Sequence, residues 1–325
     1  MPLTFDLPFD ELKEYKGINP KPANFGEYWA DALQEMNAID PKVELIHAEF
    51  QAEGCECFDM FFIGVGSARI HAKLLRPSEA KMPHPAVLMF HGYTGNAGDW
   101  VDKLGYVAQG FTVAALDCRG QGNISEDPGG VIGTTLNGHI IRGLDDALEG
   151  RPDKLLFRQV FLDTAELAKI VMDMPDVDPD KVGATGGSQG GALTLACAAL
   201  EPRIKKAAPM FPFLSDFKRV WEMDQGALAY KELRDYFRTF DPTHKNEDKV
   251  FEMLGYIDIQ NLASRIKAEV LWAIGLMDLT CPPSSQFATY NKINSKKSIV
   301  VYPDYDHEML PGFSDKVFQF MMDLK

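Results

Sequence analysis

The sequence predicts an α/β protein built on a mostly parallel sheet with helices on both faces. The first observation lies beyond residue 85, where short runs that are apolar throughout alternate with segments of helical period. Strands buried on both faces lose the inside-outside alternation of a half-exposed strand, and helical crossovers between them give parallel pairing. The runs are PAVLMF (85–90), FTVAALDC (111–118), KVGATG (181–186), KAAPMF (206–211), EVLWAIGL (269–276) and SIVVYP (298–303). The second observation is what separates them, notably RQVFLDTAELAKIVMDM and QGGALTLACAAL, which read as crossover helices. The third is a different opening. An amphipathic helix is expected over Phe25 to Met36, followed by strands VELIHAEF, CECFDMFFIGV and ARIHAKLLRP, with a hairpin at Gly66-Ser67.

The chain has 325 residues, 46% of them hydrophobic, enough for one large core. It contains no internal repeat and no Ser/Gly-rich linker. It is therefore read as a single domain over 1–325, with an N-terminal helical extension (1–40) and two long connections, 119–155 and 214–266, expected to act as caps or interfaces. The net charge of −14 argues against nucleic acid and anionic membrane surfaces as partners. No apolar stretch approaches the roughly 18 residues of a membrane span. The first residues carry acids and prolines rather than a basic, then apolar, leader, so the chain is expected to be cytoplasmic unless a leader has been removed. Cys55, Cys57, Cys118, Cys197 and Cys281 are odd in number and lie in apolar surroundings, which reads as reduced thiols. Cys55 and Cys57 form a C-x-C pair, but no second ligand cluster supports a metal there.

The stretch GATGGSQGGA, from Gly183 to Ala192, places five glycines around Ser188. Gly186-Gly187-Ser188-Gln189-Gly190 fits G-x-S-x-G, flanked by a strand run and a helix run. That context belongs to the nucleophile elbow of the α/β-hydrolases, where a serine is exposed on a tight strand-to-helix turn. A phosphate-binding loop is the competing reading, and no G-K-[ST] follows. A serine hydroxyl needs a base. His307 follows SIVVYP at a strand end. His47 and His71 lie inside predicted strands, His139 and His244 in the long connections, and His84 at the wrong end of its strand. Asp278 follows EVLWAIGL and is expected to orient His307; Asp304, Asp306 and Glu308 are too near His307 in sequence to reach its Nδ1 easily. An oxyanion needs two N–H donors, expected from the main chain of Gln189 and of Tyr93 in HGYTG. His91 reads as a structural hydrogen bond in that loop and Arg119 as a structural partner of a carboxylate. Tyr93 and Phe213 are expected to wall a small acyl pocket. Trp100, Trp221 and Trp272 are expected to be buried.

Taken in order, HGYTG, RGQG (Arg119 to Gly122), GGSQGG, GLMDLTCPPS from Gly275 and the His307-Glu308 pair resemble the acetyl xylan esterase / cephalosporin C deacetylase family, carbohydrate esterase family seven. The likeness covers nearly the whole chain, including FDLPFDELKEY and NFGEYWADAL. It implies Ser188, Asp278 and His307 as the triad, the Tyr93 and Gln189 amides as the oxyanion hole, acetyl esters of short xylo-oligosaccharides and cephalosporins as substrates, no metal or other cofactor, and a homohexamer. A peptidase or amidase on the same scaffold would need a peptide-recognising domain for which the chain has no room. Asp306 departs from the family pattern, where a glycine precedes the histidine; its carboxylate is expected to face solvent.

Overall fold

The computed structural model describes residues 5–122, 124–130, 138–224 and 228–325. Parts of the extension (1–4) and of both long connections (123, 131–137 and 225–227) lie outside the described residues. The strands are β1 Glu44–His47, β2 Cys55–Ile63, β3 Arg69–Pro77, β4 His84–Phe90, β5 Thr112–Leu116, β6 Val177–Gly187, β7 Lys206–Met210, β8 Glu269–Gly275 and β9 Lys297–Tyr302. The helices that matter below are α1 Phe25–Asn37, α2 Leu144–Leu148, α3 Leu156–Met172, α4 Gln189–Leu200, α5 Phe217–Glu222, α6 Lys231–Thr239, α7 Glu247–Leu254, α8 Ile259–Leu262, α9 Pro283–Tyr290 and α10 Phe313–Met322.

The nine strands form one sheet in the order β1-β2-β3-β5-β4-β6-β7-β8-β9. The N-terminal strands pair antiparallel up to β3 with β5; every pairing from β5 to β9 is parallel. This is the architecture of an α/β-hydrolase. Of the runs predicted from uniform apolarity, the interior ones are largely buried as expected, β5 wholly so, whereas SIVVYP forms the other edge strand, β9, and none of its residues is buried. VELIHAEF pairs over only four residues, all exposed, because β1 is the sheet's edge and has a neighbour on one side only. β4 begins at His84 rather than Pro85; the ring is buried, with its Nε2 2.8 Å from Thr112 Oγ1. The hairpin turn falls at Val65–Ser67, with Gly66 in the left-handed region at φ 71°.

Apolar cores cover both faces. One contains Trp29 of α1, Phe161 of α3 and most of α4; the other contains Tyr106, Phe111 and the inward side of α10. Trp29 stacks on Phe161 at 6.1 Å, so α1 lies over α3. The N-terminal segment is fastened to the connection 214–266 through Asp216, which accepts hydrogen bonds from Tyr15 Oη (2.8 Å) and from the Ile18 and Asn19 amides (3.0 and 2.8 Å). That connection carries α5 to α8, several short helices. Among the described residues no helix is long and apolar enough to cross a membrane.

The chain places β4 beside β5 on one side and β6 on the other. The order of strands reverses there, so the loops that follow β4 and β6 diverge and leave a crevice at their carboxyl ends, the usual ligand position in open α/β sheets.

Covering α3 on two sides buries an acid. Glu166 is 1% exposed, and neither carboxylate oxygen has a hydrogen-bond partner among the described residues. Burial pushes this carboxyl from 4.5 up to about 7. The folded protein therefore holds the Glu166 proton more tightly than the unfolded chain does. The associated stability is complete below pH 4.5 and is lost as pH rises from 4.5 to about 7. At about 1.4 kcal/mol per pH unit, the loss is on the order of 3 kcal/mol. Relative to wild type, Glu166→Gln is expected to gain stability progressively across that window in urea unfolding; a difference independent of pH would contradict this account.

Candidate active site

Ser188 sits between β6 and α4 with φ 57° and ψ −118°, a conformation that costs a non-glycine residue on the order of 1–3 kcal/mol. The surroundings enforce it. The Ser188 amide donates to Met210 O of β7 at 2.9 Å, and Ser188 O accepts from the Phe213 and Ala192 amides at 3.1 Å each. The glycines permit the fit. A Cβ on Gly186 would come within 2.5 Å of the Phe90 carbonyl oxygen, and one on Gly190 would overlap the same atom. The end of β4 thus packs directly against the elbow, which is what the glycine cluster accommodates.

The structure brings Ser188, His307 and Asp278 together. His307 Nε2 lies 2.9 Å from Ser188 Oγ, and Nδ1 lies 2.9 Å from Asp278 Oδ2. Asp278 is fully buried after β8, and Oδ1 accepts from the Thr280 and Cys281 amides at 2.9 and 2.7 Å. Gln286 Nε2 of α9 adds 3.3 Å to Oδ2. Burial raises the Asp278 carboxyl above its ordinary value, opposed by the His307 bond and these amides. The chain of bonds runs acid, imidazole, hydroxyl, with the imidazole placed to take the serine proton.

Tyr93 follows β4 and Gln189 follows Ser188 at the start of α4. Among the described residues neither main-chain N–H has an acceptor, and each follows one of the strand ends that meet at the crevice. The loop holding Tyr93 is fixed by RGQG, a contribution the sequence did not reveal. Gln121 Oε1 accepts from the Thr94 amide at 2.8 Å, and its Nε2 donates to Gln189 Oε1 at 2.8 Å. His91 is structural, as predicted: Nε2 accepts from the Cys118 amide at 3.0 Å, so Nδ1 donates to Gly92 O at 2.7 Å. Burial lowers its basicity further. Arg119 makes a buried fork on Asp163 at 2.7 and 2.6 Å.

Among the described residues no other histidine bonds the hydroxyl. His71 bridges Asp117 and Asp59, His244 faces Glu247, and His139 Nδ1 is 3.0 Å from the Tyr93 phenol oxygen. Phe213 is fully buried, its ring 5.8 Å from that of Tyr93, so it backs the tyrosine rather than standing in open space. Phe211, which sequence reasoning passed over, places its ring 4.4 Å from His307. Trp272 is fully buried, whereas Trp100 and Trp221 are half-buried, against Phe50 and Phe237. All five cysteines are unpaired and buried, with the Cys55 and Cys57 sulfurs 3.6 Å apart. One group of possible metal-binding atoms occurs among the described residues, on Asp278, Cys281 and His307. Asp278 and His307 already bond each other, and burial holds the Cys281 thiol well above its ordinary value, so this cluster suits proton transfer.

Asp306 differs from expectation. Its carboxylate turns inward: Oδ1 accepts from the His307 amide at 2.7 Å and from the Leu279 amide at 2.8 Å. The residue beside the base is thereby tied to the residue beside the acid, because both loops leave adjacent parallel strands. Losing two such bonds misplaces the imidazole by a margin worth roughly tenfold in turnover. Asp306→Ala is expected to lower kcat by about that factor with little change in KM, and Asp306→Asn, which keeps an acceptor oxygen, to retain most activity. Equal losses in the two variants would remove this role.

Comparison with known proteins agrees with the geometry. The family model for acetyl xylan esterase (AXE1) matches residues 1–324. The crystal structure of acetyl xylan esterase 1 from Thermoanaerobacterium sp. JW/SL YS485 superposes with a TM-score of 0.95 at 59% identity, covering 98% of this chain and 99% of that one. An acetyl xylan esterase from Paenibacillus sp. R4 gives 0.91 at 33% identity over 98% and 99%. The acetyl esterase Axe7A of Xylanibacter ruminicola is 25% identical over 300 residues; the match covers 90% of this chain and 65% of that longer protein. With its elbow, strand-end loops and whole length matched, the chain belongs to the acetyl xylan esterase family.

Proposed function

We propose that the protein is a serine esterase that removes acetyl groups from short acetylated xylo-oligosaccharides and similar small acetyl esters, cephalosporins included. The observation that carries this reading is the unbroken line from Asp278 through His307 to Ser188, 2.9 Å at each step. His307 Nε2 takes the Ser188 proton as Oγ attacks the acetyl carbon. Negative charge develops on the carbonyl oxygen, where the Tyr93 and Gln189 N–H groups receive it. Asp278 accepts from Nδ1–H and stabilises the imidazolium. Collapse of the tetrahedral species breaks the ester bond, and the sugar oxygen leaves with the proton from Nε2. Water then gives a proton to Nε2 and attacks the acetyl-enzyme, releasing acetate and restoring the serine. Tyr93, backed by Phe213, limits the acyl group to a short one.

The reading extends to a single domain over 1–325, with the connections 119–155 and 214–266 inserted around the site. It also includes a cytoplasmic setting, supported by five unpaired, buried cysteines, and a homohexamer, supported by the family resemblance. Light scattering at micromolar concentration is expected to give six times the chain mass; a monomer would refute the assembly.

Acetate release from acetylated xylo-oligosaccharides tests the chemistry. Ser188→Ala and His307→Ala are expected to lower turnover by about 10⁶-fold and Asp278→Asn by about 10⁴-fold. Turnover retained in Ser188→Ala would refute the mechanism. Activity on an aryl acetate with none on the oligosaccharide would leave the triad in place and move the substrate elsewhere.

A further inference from the structure

The Glu232 carboxylate, on α6, has no part in the chemistry above, yet it gathers four donors from two other segments. The Tyr93 phenol donates to Oε1. The main-chain amides of His139, Ile140 and Ile141 donate to Oε2 at 2.8, 2.7 and 3.2 Å. Three successive N–H groups around one oxygen form a concave anion cradle. Gly138 makes room for it: its φ is +77°, and a Cβ there would overlap the Glu232 carboxylate. Because the phenol hydrogen points to Glu232, His139 Nδ1 is the donor in its 3.0 Å contact with the phenol oxygen. The His139 ring stands edge-on to the tyrosine, 5.1 Å away and inclined by 83°. Tyr93 is therefore clamped at its hydroxyl by Glu232 and His139 and along its ring by Phe213. Burial and the Glu232 charge both raise the phenol above its ordinary value, so it remains a donor.

We infer that Glu232 is a positioning residue that sets acyl-chain specificity: by fixing the Tyr93 side chain through one hydrogen bond, it makes the tyrosine a rigid wall against acyl groups longer than acetyl. The inference rests on the proposed reading of Tyr93 as a wall of the acyl site. A wall only excludes an extra pair of methylenes if it cannot swing aside. Glu232 supplies the bond that the phenol itself donates; without it the side chain keeps only the His139 contact and the packing against Phe213, and its two torsions are less restrained. The carboxylate belongs to the connection 214–266 and the cradle to 119–155, so the two long connections meet at the Tyr93 side chain.

The test is the ratio of kcat/KM for p-nitrophenyl butyrate to that for p-nitrophenyl acetate. Glu232→Ala is expected to raise the ratio roughly tenfold, on the scale that added methylenes carry in an apolar pocket. Tyr93→Phe keeps the ring, the main-chain N–H and all three amide bonds to Glu232, and is expected to raise the ratio similarly. It answers the question even where Glu232→Ala fails to fold. Combining the two is expected to add nothing further, since both remove the same bond. Tyr93→Ala reports on the wall itself. A raised ratio in Tyr93→Ala with wild-type ratios in Tyr93→Phe and Glu232→Ala would overturn the Glu232 role and leave the wall standing. An unchanged ratio in Tyr93→Ala would overturn both.

Discussion

Everything at the site depends on one close contact, that between the end of β4 and the elbow after β6. The Phe90 carbonyl sits where side chains on Gly186 and Gly190 would otherwise be. The strained turn at Ser188 persists because the surrounding bonds over-determine it: Met210 takes its amide, and Phe213 and Ala192 donate to its carbonyl. Tyr93 follows β4 and Gln189 opens α4 after β6, the two strands between which the order reverses. Ser188 and the loop that carries Tyr93 are thus placed by one packing contact rather than independently.

Asp278 and His307 are aligned by a second adjacency. β8 and β9 run parallel, so Asp278 and His307 leave the sheet at the same end. Asp278 is buried yet surrounded by donors, which keeps a carboxylate where desolvation opposes one. Asp306 fastens the two loops by their amides, so the geometry of the pair is not left to the side chains alone. Phe211 lies against the imidazole and limits the water around it.

Around this frame, polar side chains from distant segments converge on the loop after β4. Gln121 pairs with Gln189 and takes the Thr94 amide, while Glu232 takes the Tyr93 phenol from the other side. Glu232 and Tyr93 are separated by 139 residues in sequence. The long connections do not merely cover the crevice; they supply the polar contacts that hold its walls.

Local pattern made the fold and the residues of the candidate site legible. Uniform apolarity marked the parallel strands, glycine spacing marked the elbow, and position on the loop after a strand run marked Asp278 and His307, because strand-end loops are where a parallel sheet presents side chains. Sequence alone also assigned His91 and Arg119 to structural bonds. What pattern left open were directions and partners. Asp306 reads as a solvated loop acid until the Leu279 amide is beside it. Phe213 reads as a pocket wall until its burial behind Tyr93 is seen, and Glu232 reads as one charge among many on an amphipathic helix. The order of elements and the residues of the candidate site were determined by the sequence itself, through periodicities and spacings that act over a few residues. The partners of Asp306, Gln121 and Glu232 were decided only by tertiary structure, because a hydrogen bond depends on where two segments meet in space, and no local spacing encodes that meeting.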